Sequence, residues 1–262
     1  MLFACLFASA DDLYVLPGAG SAPGYYDSIQ EAIDAADNGD IILISPDSYV
    51  ENLQINKSIT LKPFGIENFE LIGELKFQTR FEDDAEHHYT VNIIGMTIQG
   101  VCEAYELNGN WSYYATYHIS LINCIINGNL SLTQLDAFHV DVFYSEISAG
   151  FTVNSGDYFV GNYAYTTTSG IPGLSWSGFM NAAFNSLPNQ ETLIAANRLE
   201  NRSIYIYSNN SCYEDQSSIG AENCLAREFK IANNFISLES GSSCNMIQIY
   251  GSAKHLATVI NN

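Results

Sequence analysis

Apolar positions along this chain keep two rhythms, and the change between them falls early. Within "SIQEAIDAADNG", Ile29, Ala32, Ile33 and Ala36 recur at the three-and-four spacing that makes one apolar stripe on a helix. Ser28 and Glu31 have the S-x-x-E spacing of a capping box, and Asn38-Gly39 supplies a turn, so the pattern predicts a short one-sided helix. From Ile41 the rhythm becomes two. The run Ile41–Ile44 is too short for a helix and rich in β-branched residues, and "SYVENLQI" and "SITLKPF" then alternate between Pro46 and Pro63.

The alternating phrase recurs as "VNIIGMTI", "ISLINCII", "VDVFYSEI", "YFVGNYAY", "LIAANRLE", "FKIANNFI" and "ATVINN". The phrases align on Gly95, Asn123, Tyr144, Asn162, Asn197, Asn233 and Asn261. The residue two earlier is then Ile93, Leu121, Val142, Val160, Ala195, Ile231 or Val259. Four earlier stand Val91, Ile119, Val140, Tyr158, Leu193, Phe229 and Ala257, so one face is apolar throughout. Ile59 and Leu61 before Pro63, and Ile41 and Leu43 before Ser45, extend the series. Asparagine suits the anchor because it tolerates left-handed backbone and its amide can bond to a copy stacked above. Short strands with one variable excursion per repeat predict a coil of stacked rungs, with loops at Gly100 to Tyr117, Thr166 to Gln190 and Tyr205 to Arg227.

In "IQEAIDAADNGDIILISPDSYVENLQINKSITL", Asp40, Pro46, Tyr49 and Glu51 follow a "GDTI-x-V-x-P-G-x-Y-x-E" phrase, with Ser48 where glycine is usual. The stretch resembles the N-terminal part of right-handed parallel β-helix proteins of the pectin-lyase-like superfamily. That resemblance implies an all-β solenoid with a short N-terminal capping helix over residues 11–262. It implies a fold alone, since the superfamily holds lyases, hydrolases, esterases, epimerases and non-catalytic surface proteins. A stack of rungs has open ends, which the helix would cover on one side. The chain stops at "LATVINN", inside a rung pattern. The expectation is that rungs continue past Asn262 or that the open end is covered by end-to-end self-association.

Charge narrows the function. Nine Lys plus Arg against 29 Asp plus Glu give a net charge of −20, which repels nucleic acid and anionic membrane surfaces. Residues 1–10, "MLFACLFASA", end in a small-x-small pattern and predict a signal peptide, whole or truncated at its start, hence a secreted or cell-surface protein. A lipoprotein reading through Cys5 is weaker, and no other run is long enough to be inserted in a membrane. Cys102, Cys124, Cys212, Cys224 and Cys244 then remain. They are either buried small hydrophobes or local staples, with Cys102–Cys124 and Cys224–Cys244 about one rung apart and Cys212–Cys224 as a competing pair.

Catalytic signals are sparse. The nine cations show no Arg-x-Pro-x-x-Arg phrase like that of pectate lyases, and the Asn-x-Asp, His-Gly and Arg-x-Lys phrases of polygalacturonase-like enzymes are absent. The densest polar stretch, "RFEDDAEHHY", reads first as a solvated corner loop. Its Glu82, Asp83, Asp84 and Glu86 are the candidates for a calcium or other metal site, and no cofactor is otherwise expected. Trp111, Tyr113, Tyr114 and Trp176 lie in expected loops. They either pack onto the coil or stack on sugar faces, and are the carbohydrate-binding candidates. The resulting expectation is a non-catalytic adhesin, stalk or glycan-binding module, with a polysaccharide or glycan as partner. The alternative is the N-terminal part of a polysaccharide lyase or glycoside hydrolase acting on acidic polysaccharides.

Overall fold

The computed structural model describes residues 11–20, 22–81, 87–105, 113–132, 138–148, 151–153, 158–165, 174–179, 191–200, 204–209, 227–237, 247–251 and 255–260. The expected signal segment 1–10, the acidic run 82–86, Trp111, Cys212, Cys224 and Cys244 lie outside these residues.

From Ile41 onward, successive strands visit three sheets in turn, apart from the short strand Arg80–Phe81. Sheet 1 begins at its edge with Tyr25–Tyr26 and Asp12–Val15 and runs on from Ile41–Ile44 through Ile59–Pro63 to His255–Ile260. Sheet 2 runs from Ser48–Tyr49 to Phe235–Ser237, and sheet 3 from Leu53–Ile55 to Ile247–Gly251. Each strand pairs in parallel with the strand three later, so the all-β chain is a stack of coils compatible with a β-helix solenoid. One helix, α1 (Ile29–Ala35), stands at the start.

The core is made of columns, one residue from each rung. In sheet 1, Leu61, Ile93, Leu121, Val142, Phe159, Ile194 and Ile231 follow one another in register, and all are fully buried. Sheet 2 stacks Leu71, Ile98, Ile126, Ile147, Ala164 and Leu199 in the same way. Each buried Leu, Ile or Phe contributes about 1.5–3 kcal/mol relative to exposure, so the columns hold the rungs together.

The expected alternation holds in most rungs and slips by one in three. The left-handed residue between sheets 1 and 2 is Gly95, Asn123, Tyr144, Gly161, Ala196 or Asn233, with φ between 52° and 72°. Gly161 and Ala196 thus replace the expected anchors Asn162 and Asn197. A one-residue slip reverses the faces of a strand. Phe159 and Ile194 point into the core, and Tyr158, Val160, Leu193 and Ala195 do not. The first rung corrects likewise, because Ile42 and Ile44 are buried rather than Ile41 and Leu43.

The slip has a physical cause, which is that the two properties of asparagine belong to neighbouring positions. Left-handed backbone is needed at the corner itself, and the hydrogen-bonding ladder runs one residue later, through Ser145, Asn162, Asn197 and Asn234, all buried. Asn162 N–H donates to Asn197 Oδ1 at 2.8 Å, and Asn197 N–H donates to Asn234 Oδ1 at 3.1 Å. Ser145 N–H donates to Asn162 Oδ1 at 2.8 Å, and Cys124 N–H to Ser145 Oγ at 3.0 Å. Such bonding is what allows polar side chains inside the stack.

The next corner, between sheets 2 and 3, is packed backbone on backbone. A Cβ on Gly100 would lie 1.7 Å from the Gly73 carbonyl oxygen, and one on Gly128 would lie 1.4 Å from that of Gly100. Only glycine fits such an approach.

The resemblance phrase proves to be the fastening of the cap. Ser28 Oγ accepts from Glu31 N–H at 3.2 Å, as a capping box requires. Glu51, 22 residues further on, accepts from Ile29 N–H at 2.9 Å and Gln30 N–H at 3.0 Å. Lys57 Nζ donates to the carbonyls of Asp34 and Ala36 at the other end. Ile29, Ala32 and Ile33 are fully buried. The Gln30 amide meanwhile bonds both backbone groups of Gln54, standing in for a strand beyond the sheet 3 edge. Asp40 accepts from Asp11 N–H and Asp37 N–H, and Tyr49 Oη bonds Ser45.

Two expectations about connections change. Cys102 and Cys124 are buried free thiols, Cys102 in the sheet 3 column between Leu75 and Leu130 and Cys124 at the corner between sheets 1 and 2, so no staple joins them. Tyr113 and Tyr114 belong to the strand Tyr113–Ile122, and Trp176 to Leu174–Phe179, rather than to loops. No helix among the described residues is long and apolar enough to cross a membrane.

Candidate functional site

The outer face of sheet 1 carries a cluster of titratable side chains. Strands Tyr113–Ile122 and Phe138–Phe143 pair with His118 opposite His139 and Ser120 opposite Asp141. Their inward residues Ile119, Leu121, Val140 and Val142 fix the alternation, so His118, His139 and Asp141 all face outward. His118 Nε2 lies 2.8 Å from Asp141 Oδ2, and His139 Nε2 lies 3.5 Å from Asp141 Oδ1. The two rings meet edge to face with centroids 4.6 Å apart. They cover the carboxylate, leaving its side chain 10% exposed while His118 stays 50% and His139 29% exposed. Tyr158 N–H, from the next rung, donates to Asp141 Oδ1 at 3.1 Å.

Charges in the cluster reinforce each other. Burial alone would raise the Asp141 carboxyl. Hydrogen bonds from His118 and His139, the charge of His139 and the Tyr158 amide outweigh it and bring the carboxyl down to about 2. The hydrogen bond to Asp141 raises His118 against its own partial burial. An ionised carboxylate with two imidazoles turned toward it can hold a proton or a metal ion, each residue offering one ligand atom. Reading for motifs along the chain misses this cluster because its members come from different rungs. Reading the outward residues of aligned rungs down the stack would find the column Thr90, His118, His139.

The expected metal residues Glu82, Asp83, Asp84 and Glu86, and the expected sugar-stacking Trp111, lie outside the described residues. Their flanks are described and adjacent. Arg80–Phe81, which precedes 82–86 in the sequence, pairs antiparallel with Tyr113–Tyr114, which follows 106–112. Trp176 is elsewhere, in sheet 3. Its backbone pairs with Val153 in the preceding rung.

A further outward group lies on sheet 2. Tyr163 and Tyr165 stack with ring centroids 5.0 Å apart, and Arg198 lies over the Tyr163 ring at 5.2 Å. Tyr163 Oη donates to Glu200 Oε2 at 2.7 Å, Tyr165 Oη donates to Glu146 Oε1 at 2.9 Å, and Arg198 pairs with Glu200. The ring faces are turned to one another and to the guanidinium, which suits rung-to-rung packing better than sugar stacking.

Comparison of the chain with protein-family profiles, with curated proteins and with solved structures found no match.

Proposed function

We propose that the chain is a right-handed parallel β-helix of the pectin-lyase-like kind, secreted or displayed at the cell surface. It serves there as a non-catalytic adhesin, stalk or glycan-binding module. The right-handed sense rests on the general preference of parallel crossover connections, and the superfamily reading on the cap phrase. In that phrase Asp40, Tyr49 and Glu51 are all engaged in fastening α1 and the first rungs.

The observation that carries the functional reading is the unequal treatment of the corners. Between sheets 1 and 2 the connection stays minimal in successive rungs, as at 123–124, 144–145, 161–162, 196–197 and 233–234. Between sheets 2 and 3 it lengthens twice, at 166–173 and 238–246, and between sheets 3 and 1 it varies most widely, from 56–58 to 106–112, 180–190 and 210–226. A regular stack that keeps one connection minimal and lets the others vary in length is how a scaffold carries contact segments. In the sequence, Trp111 and the acidic run 82–86 fall between strands of sheet 3 and strands of sheet 1. With a net charge of −20, neutral glycans are the favoured ligands, or acidic ones bridged by calcium.

The test is a glycan array and affinity column, run beside incubation with acidic polysaccharides with and without calcium. Retention without product, lost in Trp111→Ala, is the expected result. New reducing ends or unsaturated uronates that disappear on replacing Asp83 and Asp84 would overturn the reading in favour of a polysaccharide lyase or glycoside hydrolase.

A further inference from the structure

We propose that His118, His139 and Asp141 form a binding site for one divalent metal ion of the zinc type, with the fourth coordination position open to solvent. The site is independent of the scaffold reading, since it lies on the outer face of sheet 1 and not in the segments at the sheet 3 to sheet 1 corner.

The donor set points to the metal class. Two imidazoles and one carboxylate suit zinc and its transition-metal neighbours. Calcium takes six to eight oxygens, and the cluster offers a single carboxylate, so calcium is not its ion.

Distances allow it after rotation of the side chains, since the two histidines contact different oxygens of Asp141 and the ligand atoms must draw together on one ion. The three ligand atoms lie within 4.8 Å of one another. Zinc–ligand bonds of about 2.0–2.2 Å place neighbouring tetrahedral donors about 3.3 Å apart. His139 Nε2 already lies 3.5 Å from the carboxylate. The His118 contact of 2.8 Å must widen by about half an ångström, which the half-exposed ring can do by turning outward. On binding, each Nε2 gives up any proton it carries, and the neutral imidazoles keep theirs on Nδ1.

The support behind the ligands is rigid. All three project from paired parallel strands whose alternate residues Ile119, Val140 and Val142 are fully buried. The Tyr158 N–H bond to Asp141 Oδ1 orients the carboxylate, as outer-shell donors do in metal sites. The His118 side chain is half exposed, so solvent reaches the cluster and a water or small anionic ligand completes the coordination.

The experiment uses the full chain, stripped with EDTA, returned to chelator-free buffer and titrated with Zn2+ by calorimetry. Zinc-edge X-ray absorption on the loaded protein reports the ligands. The expected result is one saturable site with two imidazoles per zinc, unaffected by millimolar calcium. Affinity should fall about tenfold or more in His118→Ala and again in His139→Ala. Both exposed histidines can be replaced without opening the core, and circular dichroism verifies the fold. No saturable binding by the native chain would overturn the proposal. So would unchanged affinity in the double variant, which would assign the metal to carboxylates or thiols elsewhere.

Discussion

Replacing Asn197 by alanine tests the ladder at its centre. Asn197 is 2% exposed, and its side chain serves four groups. Its Oδ1 accepts from Asn162 N–H at 2.8 Å and from Asn162 Nδ2 at 3.2 Å, while its Nδ2 donates to Phe159 O at 2.9 Å and Asn234 Oδ1 at 2.8 Å. Alanine removes all four bonds. The Asn162 side chain keeps its bond to Val142 O, and Asn234 Oδ1 keeps the Asn197 N–H, so these two suffer least. The buried Asn162 N–H loses its acceptor, which costs about 1–3 kcal/mol, and the remaining bonds add about 1 kcal/mol. The expected loss is therefore about 2–4 kcal/mol. Serine should recover part of it, because Ser145 fills the same ladder position, accepting from Cys124 N–H and donating to Phe143 O. Urea denaturation followed by circular dichroism gives the stability, and hydrogen exchange at Asn162 gives the local effect. An alanine variant within about 0.5 kcal/mol of the native chain, with Asn162 still protected, would refute the ladder.

Four further outcomes follow from other parts of the stack. Gly128→Ala, whose Cβ would meet the Gly100 carbonyl at 1.4 Å, should cost about 3 kcal/mol or more in the same denaturation assay. Glu51→Ala should lose about 1–2 kcal/mol and expose the amides of Ile29 and Gln30 to exchange, a larger effect than Ser28→Ala, which frees only Glu31 N–H. Burial pushes the Cys124 thiol up to about 11 and the Cys102 thiol higher. Iodoacetamide at neutral pH should therefore label either residue only after unfolding, as read by peptide mass spectrometry. Melting curves in EDTA should show the His118–Asp141 pair by its pH window. The lowered Asp141 contributes stability above its unfolded value of about 3.9, lost as pH falls toward 2. The raised His118 contributes below about 6.5, lost as pH rises through its folded value. Asp141→Asn should flatten both edges.

Much of the architecture is legible in the chain because burial and spacing are local. Period-two alternation marks Leu61, Ile93, Leu121 and Val142 as one inward column, and the stripe Ile29, Ala32, Ile33 marks the cap. Register is legible only as far as the corner residue is. Asparagine at 162 and 197 draws the alignment one place too far, since the left-handed conformation falls on Gly161 and Ala196 while the amides go to the ladder. Glu51 as the helix cap, and the glycine stack at residues 73, 100 and 128, depend on contacts between rungs that no local pattern displays. The same holds for His118, His139 and Asp141. Single outward polar residues look like solvated strand faces until the rungs are set side by side.

The stack and its register are tested most directly by cross-linking. Sheet 1 places Ala195 beside Ala232 on neighbouring parallel strands, both partly exposed, with Ile231 buried on the opposite face. Strands about 4.8 Å apart bring such a pair within disulfide reach. Under mild oxidation an Ala195→Cys, Ala232→Cys variant should yield the cross-linked peptide, and Ala195→Cys with Ile231→Cys should not. A cross-link in the second variant and none in the first would contradict the stacking on which the ladder, the corner and the metal site depend.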